Sequence, residues 1–182
     1  TIEIRKLKNK FKDNRREASL NINISDLFYK SGFYSQSLNY LDKAWALIAN
    51  DTTGKRLLSS VILYNKSENY FRMNKIDSLR AYHVKLNNPE NKNYKIFTYR
   101  QRTAYYITLL QHNYNLAIKQ IKELQKSKDY AHNDLEEQHL ADAYYMSGQL
   151  DSAKIVIGKL LTADTENNQP EVKFHLYETL AR

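Results

Sequence analysis

One phrase is written twice in this chain, SGFYSQSLNYLDKAW at residues 31–45 and SGQLDSAKIVIGKLL at residues 147–161. Taking the small or apolar residue after the turn as an anchor brings out two more copies. The anchors are Ser37, Leu79, Ala117 and Ala153, spaced 42, 38 and 36 residues apart. Four residues after them stand Leu41, His83, Ile121 and Ile157, and seven after stand Ala44, Leu86, Leu124 and Leu160. Nine residues before stand Phe28, Tyr70, Thr108 and Tyr144, and three before stand Tyr34, Ile76, Tyr114 and Leu150. Positions four and seven apart share one helical face, so each unit reads as an amphipathic helix, a tight turn and a second amphipathic helix. A pair of this length cannot cover its own apolar stripe. Stacking further pairs covers it, which makes a one-dimensional array of helix pairs the expected all-α fold.

The turn chemistry agrees with that pattern. Gly32 and Gly148 follow a first helix, where a left-handed residue satisfies its last carbonyls, and Asn74 and His112 hold the same place in the middle units. With only four Gly and two Pro in 182 residues, the chain lacks the turn residues an all-β protein needs. Polar clusters at 50–54 (NDTTG), 87–93 (NNPENKN) and 163–170 (ADTENNQP) separate the pairs, with Pro89 and Pro170 suited to the first turn of a helix. Ile4, Leu7 and Phe11 predict a lone helix over 1–16, and Val172, Leu176 and Leu180 predict another over 170–182. The expectation is a single domain over 1–182 of nine or ten helices. Its repeats fall at about 18–50, 60–88, 98–127 and 134–163. The flanking half-repeats 1–16 and 170–182 predict an array that continues in both directions.

Charge and motifs narrow the function. The net charge is +8, but residues 1–16 hold seven basic residues against two acidic ones. The excess is therefore mostly terminal rather than spread along a phosphate track, which weighs against a nucleic-acid partner. There is no Cys, hence no disulfide and no thiolate metal site, and no apolar run is long enough for a membrane span. Catalytic signatures are missing: no G-x-S-x-G, no Gly-rich phosphate loop, no H-E-x-x-H. His132, His139 and Asp142 share a helical spacing without a second converging ligand group, and Glu136 and Glu137 suit the first turn of a helix, so all read as a solvated helix. No catalytic, cofactor or metal site is expected.

The segments ISDLFYKSGFYSQSLNYLDKA (24–44) and LADAYYMSGQLDSAKIVIGKL (140–160) resemble the tetratricopeptide repeat, a helix–turn–helix unit. SENYFRMNKIDSLRAYHVKL and AYYITLLQHNYNLAIKQIKEL match more loosely. The small position of the first helix holds Ser25, Ser67, Tyr105 and Ala141, and the bulk of Tyr105 implies a locally splayed unit. The resemblance, which covers about residues 18–160, implies a right-handed solenoid whose first helices line a concave groove. Carried over unit by unit, the groove positions are Ile22, Asp26, Tyr29 and Lys30, then Tyr64, Glu68, Phe71 and Arg72. The third and fourth units give Tyr99, Arg102, Tyr106 and Leu109, and Leu135, Gln138, Asp142 and Tyr145.

A groove so rich in Tyr and Arg suits a peptide or protein segment, from a partner or from another domain of the same chain. Its carboxylates Asp26, Glu68 and Asp142 favour a ligand carrying Lys, Arg or a free amine. They also argue against the Lys and Asn clamp by which some of these repeats hold a C-terminal carboxylate. The abundance of Asn, Tyr, Lys and Ile resembles that of AT-rich bacteria such as the Bacteroidetes, where such arrays often serve signalling or transcriptional regulators. The competing reading is a helical repeat that binds RNA or DNA through its basic residues and Tyr stacking.

Overall fold

A computed structural model of the chain describes residues 2–49, 55–88, 94–127 and 134–162, with the helical backbone alone for 2–12, 55–57 and 94–95. Eight helices occur among the described residues: α1 Ile2–Lys30, α2 Tyr34–Ile48, α3 Lys55–Arg72, α4 Ile76–Leu86, α5 Tyr94–Leu110, α6 Tyr114–Gln125, α7 Asp134–Met146 and α8 Leu150–Thr162. No strand occurs among the described residues, so the all-α expectation holds. The chain packs as two compact units, Thr1–Thr103 and Ala104–Arg182. In the first, α1 packs on α2, α2 on α3 and α3 on α4; in the second, α6 packs on α7 and α7 on α8.

Four helix pairs turn through the same hydrogen-bonded motif. The N–H of Phe33 donates to the Phe28 carbonyl at 2.8 Å and that of Gly32 to the Tyr29 carbonyl at 3.0 Å. The identical pair of bonds recurs from Lys75 to Tyr70 (2.9 Å) and Asn74 to Phe71 (3.0 Å). It recurs again from Asn113 to Thr108 (3.1 Å) with His112 to Leu109 (2.9 Å), and from Gln149 to Tyr144 (2.9 Å) with Gly148 to Tyr145 (3.0 Å). This pair of hydrogen bonds is the Schellman closure of a helix end, and it requires a left-handed residue. Gly32 and Gly148 adopt φ 78°, Asn74 φ 56° and His112 φ 59°. Phe33, Lys75, Asn113 and Gln149 then accept at their carbonyls from Ser37, Leu79, Ala117 and Ala153, so one residue closes the first helix and opens the second.

Left-handed backbone costs a non-glycine side chain roughly 1–2 kcal/mol, partly offset by the greater chain entropy glycine loses on folding. Replacing His112 by Gly is therefore expected to raise stability by about 0.5–1 kcal/mol, read from urea unfolding midpoints. An unchanged or lowered midpoint would mean that the bond between His112 Nδ1 and the Tyr114 hydroxyl, 2.8 Å long, outweighs the strain.

Burial follows the repeat register. Ser37, Leu79, Ala117 and Ala153 are all buried, as are Leu41, Ile121 and Ile157, and Ala44, Leu86, Leu124 and Leu160. On the first helices Ser25, Ser67, Tyr105 and Ala141 are buried too. Ser25 and Ser67 return their hydroxyls to their own helix, at the Ile22 carbonyl (2.7 Å) and the Leu63 carbonyl (2.8 Å), so the small side chain buries without an orphaned donor. The first two repeats also share a surface stack 42 residues apart. Phe28 lies on Tyr40 at 5.3 Å with Lys43 over the Tyr40 ring at 4.3 Å; Tyr70 lies on Tyr82 at 5.4 Å with Lys85 over the Tyr82 ring at 4.5 Å.

Two expectations about helices change. The lone helix over 1–16 is not separate: α1 runs without a break from Ile2 to Lys30. Ile4, Leu7 and Phe11 fall on the same stripe as Asn14, Ala18, Ile22 and Ser25, at steps of three or four residues, and no Gly or Pro interrupts them. Ala18 and Ile22 enter the core with Leu41, Ala44, Ile48 and Ile62, and Asn14 donates to the Leu47 carbonyl at 3.5 Å. The predicted helix over 170–182 and the turn residues Pro89 and Pro170 lie outside the described residues. So does His132.

Candidate functional site

The first helices α1, α3 and α5 bring most of the predicted groove residues of the first unit into one linked aromatic and polar face. Arg72 of α3 donates through Nε to the Tyr29 hydroxyl of α1 at 3.2 Å. The Tyr29 phenol is held well above the ordinary phenol range, by burial first and then by the Glu68 carboxylate, with Arg72 opposing. Glu68 accepts from the Tyr64 hydroxyl at 2.6 Å, one helical turn away. The Tyr64 ring lies parallel to Tyr99 of α5, centroids 4.2 Å apart and planes at 8°, and the Arg102 guanidinium sits 5.8 Å from the Tyr64 ring centre. On α1, Lys30 and Asp26 form an ion pair at 2.8 Å.

This geometry sorts the predicted residues. Tyr29, Phe71, Tyr99, Arg102, Asp26 and Glu68 are partly buried, and Lys30 and Arg72 are exposed; these are the groups the face presents. Tyr64 is only 6% exposed and Ile22 8%, so they form its floor. The carboxylates carry less free attraction than their spacing implied. Asp26 is matched by Lys30 and Glu68 by Tyr64, so a cationic ligand competes with partners already in place. With Lys30, Arg72 and Arg102 beside Asp26 and Glu68, the face is amphipathic and of mixed charge rather than acidic.

In the second unit, Tyr106 is 1% exposed and packs edge-on to His139 with centroids 5.5 Å apart. Gln138 is 4% exposed, while Leu109, Leu135, Asp142 and Tyr145 are partly buried. Tyr105, the bulky residue at a small position, is fully buried; its ring meets Tyr106 edge-on at 4.7 Å, and its hydroxyl bonds His139 Nδ1 at 3.2 Å. Glu136 and His139, expected on a solvated helix, are instead buried at 1% and 5%. Glu137 accepts from Gln125 at 2.7 Å and ties α7 to α6. Their positions in the first turn suit the helix dipole, but that argument does not report which side the neighbouring helix covers.

Two polar constellations were not anticipated. Lys66 of α3, its side chain 8% exposed, is paired with Asp42 of α2 and lies 5.5 Å from the Tyr82 ring centre of α4. Burial alone would lower its pKa, but the Asp42 carboxylate and Tyr82 raise it above the ordinary lysine value, so Lys66 is a fixed cation and no nucleophile. Nothing in the spacing marks Lys66 as buried. The second constellation is His83 with Thr103 and Arg100, and it had a signal: His83 takes the core position that Leu41, Ile121 and Ile157 fill in the other units. Among the described residues, no group of three or more His, Cys, Asp or Glu is placed to hold a metal ion, and no helix is long and apolar enough to cross a membrane. Comparison of the chain with protein-family models, with curated proteins and with solved structures finds no match.

Proposed function

We propose that this chain is a non-enzymatic interaction module of the tetratricopeptide-like kind, a right-handed stack of helix pairs that docks a segment of a protein partner. The four equivalent turns at Gly32, Asn74, His112 and Gly148 support a repeat array. The observation that carries the binding reading is the face on α1, α3 and α5. There Tyr29, Phe71 and Tyr99 offer aromatic surface beside Arg72 and Arg102, the residue types that dominate protein contacts. Rigid rings give contact area at low entropic cost, and the Tyr64–Tyr99 stack and the Tyr29–Arg72 bond hold them in place before any ligand arrives. Because the face combines aromatic surface with charges of both signs, its ligand is an amphipathic segment, extended or helical, bound through apolar and hydrogen-bonding contacts. In the cell this module is the docking or sensing part of a signalling or transcriptional regulator.

The test is selection from a displayed peptide library on the folded chain, followed by titration of the enriched peptides. Phe71→Ala and Arg72→Ala are each expected to weaken binding by about 1–4 kcal/mol, with the circular dichroism spectrum and melting midpoint nearly unchanged. Wild-type affinity in both would move the site away from this face.

A further inference from the structure

We propose that Leu20, Ile24 and Leu27 of α1 form a second docking surface, which takes an amphipathic helix of a partner protein in the place that α2 takes on α3. The inference rests on the repeat register and not on the reading of the aromatic face. The three residues stand 17, 13 and 10 positions before the anchor Ser37. They lie on the side of α1 opposite the core stripe of Ala18, Ile22 and Ser25. Leu20 is 57% exposed and Leu27 65%, and Ile24 is partly buried.

The same positions are covered in two other repeats. In α3 they hold Ile62, Lys66 and Asn69, all buried. The cover is α2: Ile62 enters the cluster of Leu41, Ala44 and Ile48, and Lys66 pairs with Asp42. In the second unit α7 holds Glu136, Leu140 and Ala143 there, again all buried, and α6 packs on it. In α5 the positions hold Arg100, Ala104 and Ile107, partly buried. On α1 no described helix takes that place. Two leucines more than half exposed, in a register that α3 and α7 keep below a tenth exposed, make this stripe a binding surface rather than scattered surface apolar residues.

The register also states what fits. Each covering helix is the second of a pair, with apolar residues at steps of three and four that interlock with the stripe beneath. Ile24 then sets the charge pattern. In α3 its place is taken by Lys66, which neutralises Asp42. Ile24 supplies no cation, so a carboxylate at the Asp42 place would be buried without a partner, which is strongly disfavoured. The occupant therefore carries an apolar residue where α2 carries Asp42.

A second copy of this chain fits less well. Its α2 and α6 are already packed on α3 and α7, and its α4 is bonded to α5 through Arg100 and the Leu86 carbonyl. Both α2 and α6 reach the helix they cover by a short connection and so run antiparallel to it. A second α1 laid in that direction, Leu20 on Leu27, sets Arg16 of each copy against Lys30 of the other along one edge, cation against cation.

The test uses two synthetic peptides covering residues 34–49, one native and one with Asp42→Leu. Each is titrated into the folded full chain, and backbone amide resonances are followed. The expected shifts centre on Leu20, Ile24 and Leu27, with the Asp42→Leu peptide about tenfold tighter than the native one. Ile24→Lys gives α1 the face of α3 and should invert that preference. Leu27→Glu should weaken the Asp42→Leu peptide about tenfold with an unchanged circular dichroism spectrum. Shifts centred elsewhere, equal affinities for the two peptides, or a preference that Ile24→Lys leaves untouched would each overturn the proposal. Sedimentation of the chain alone is expected to show a monomer. A dimer that Leu27→Glu dissolves would make a second copy the occupant and overturn the partner helix. If a variant fails to fold, the two peptides on the wild-type chain decide.

Discussion

Replacing Tyr105 by Ala is expected to remove about 3–5 kcal/mol of stability, the loss typical of truncating a fully buried aromatic side chain. The ring is 0% exposed and wedged against Tyr106 and His139, and its hydroxyl bonds His139 Nδ1. Truncation leaves a cavity and deprives a buried imidazole of a partner. Tyr105→Phe keeps the packing and loses the hydroxyl alone, so its cost should be nearer 1 kcal/mol. Urea unfolding followed by circular dichroism checks both. If Tyr105→Ala cost under 1 kcal/mol, the ring would not be packed as described, and a splayed third repeat would regain force.

Leu41→Ala is expected to cost about 2–5 kcal/mol, because the side chain is 0% exposed in the cluster of Ala18, Ile22, Ala44, Ile48 and Ile62 with Trp45 packed against it. Leu41 reaches this core from the second helix of the first pair, and α1 supplies Ala18 and Ile22 from the other side. The loss should appear as a lower unfolding midpoint with an unchanged slope, since the surface exposed on unfolding is nearly the same. A midpoint within error of wild type would contradict the register that places position four after the anchor in the core.

That register was the most legible part of the fold. A left-handed turn residue, a buried anchor and apolar residues four and seven later are local signals, and a period of 36 to 42 residues repeats them four times with His83 as the exception at position four. The merging of the predicted helix over 1–16 with the first repeat was also written in the chain, as an unbroken stripe from Ile4 to Ser25. The edge of a repeat need not be the end of a helix, and in α1 it is not. Tyr105 illustrates a different limit. Size alone at a small position predicts a splay, yet the neighbouring His139 and Tyr106 shape a slot around the ring.

The candidate site was legible as a set of positions and less so as a set of roles. Helical register brings Tyr29, Tyr64, Phe71 and Tyr99 onto the first helices but does not say which ring covers which. Tyr64 becomes the floor because Tyr99 stacks on it at 4.2 Å. Pairing is equally invisible from spacing across 43 residues, which is the separation of Tyr29 and Arg72. The acidic cast of the groove softens for a more local reason, since Lys30 and Tyr64 stand four residues from Asp26 and Glu68 on the same helices. Lys66 is a case that only the fold decides. A lysine that reads as solvated is enclosed by α2 and α4, and Asp42 keeps it charged.

The most direct test of the interaction face is a backbone amide map of the folded chain during titration with a peptide enriched from the displayed library. The account predicts that the largest shift changes fall on Tyr29, Lys30, Phe71, Arg72, Tyr99 and Arg102, on α1, α3 and α5, and that α2 and α4 remain quiet. Changes centred on Tyr40, Lys43, Tyr82 and Lys85 of α2 and α4, with the α1, α3 and α5 residues unmoved, would contradict it.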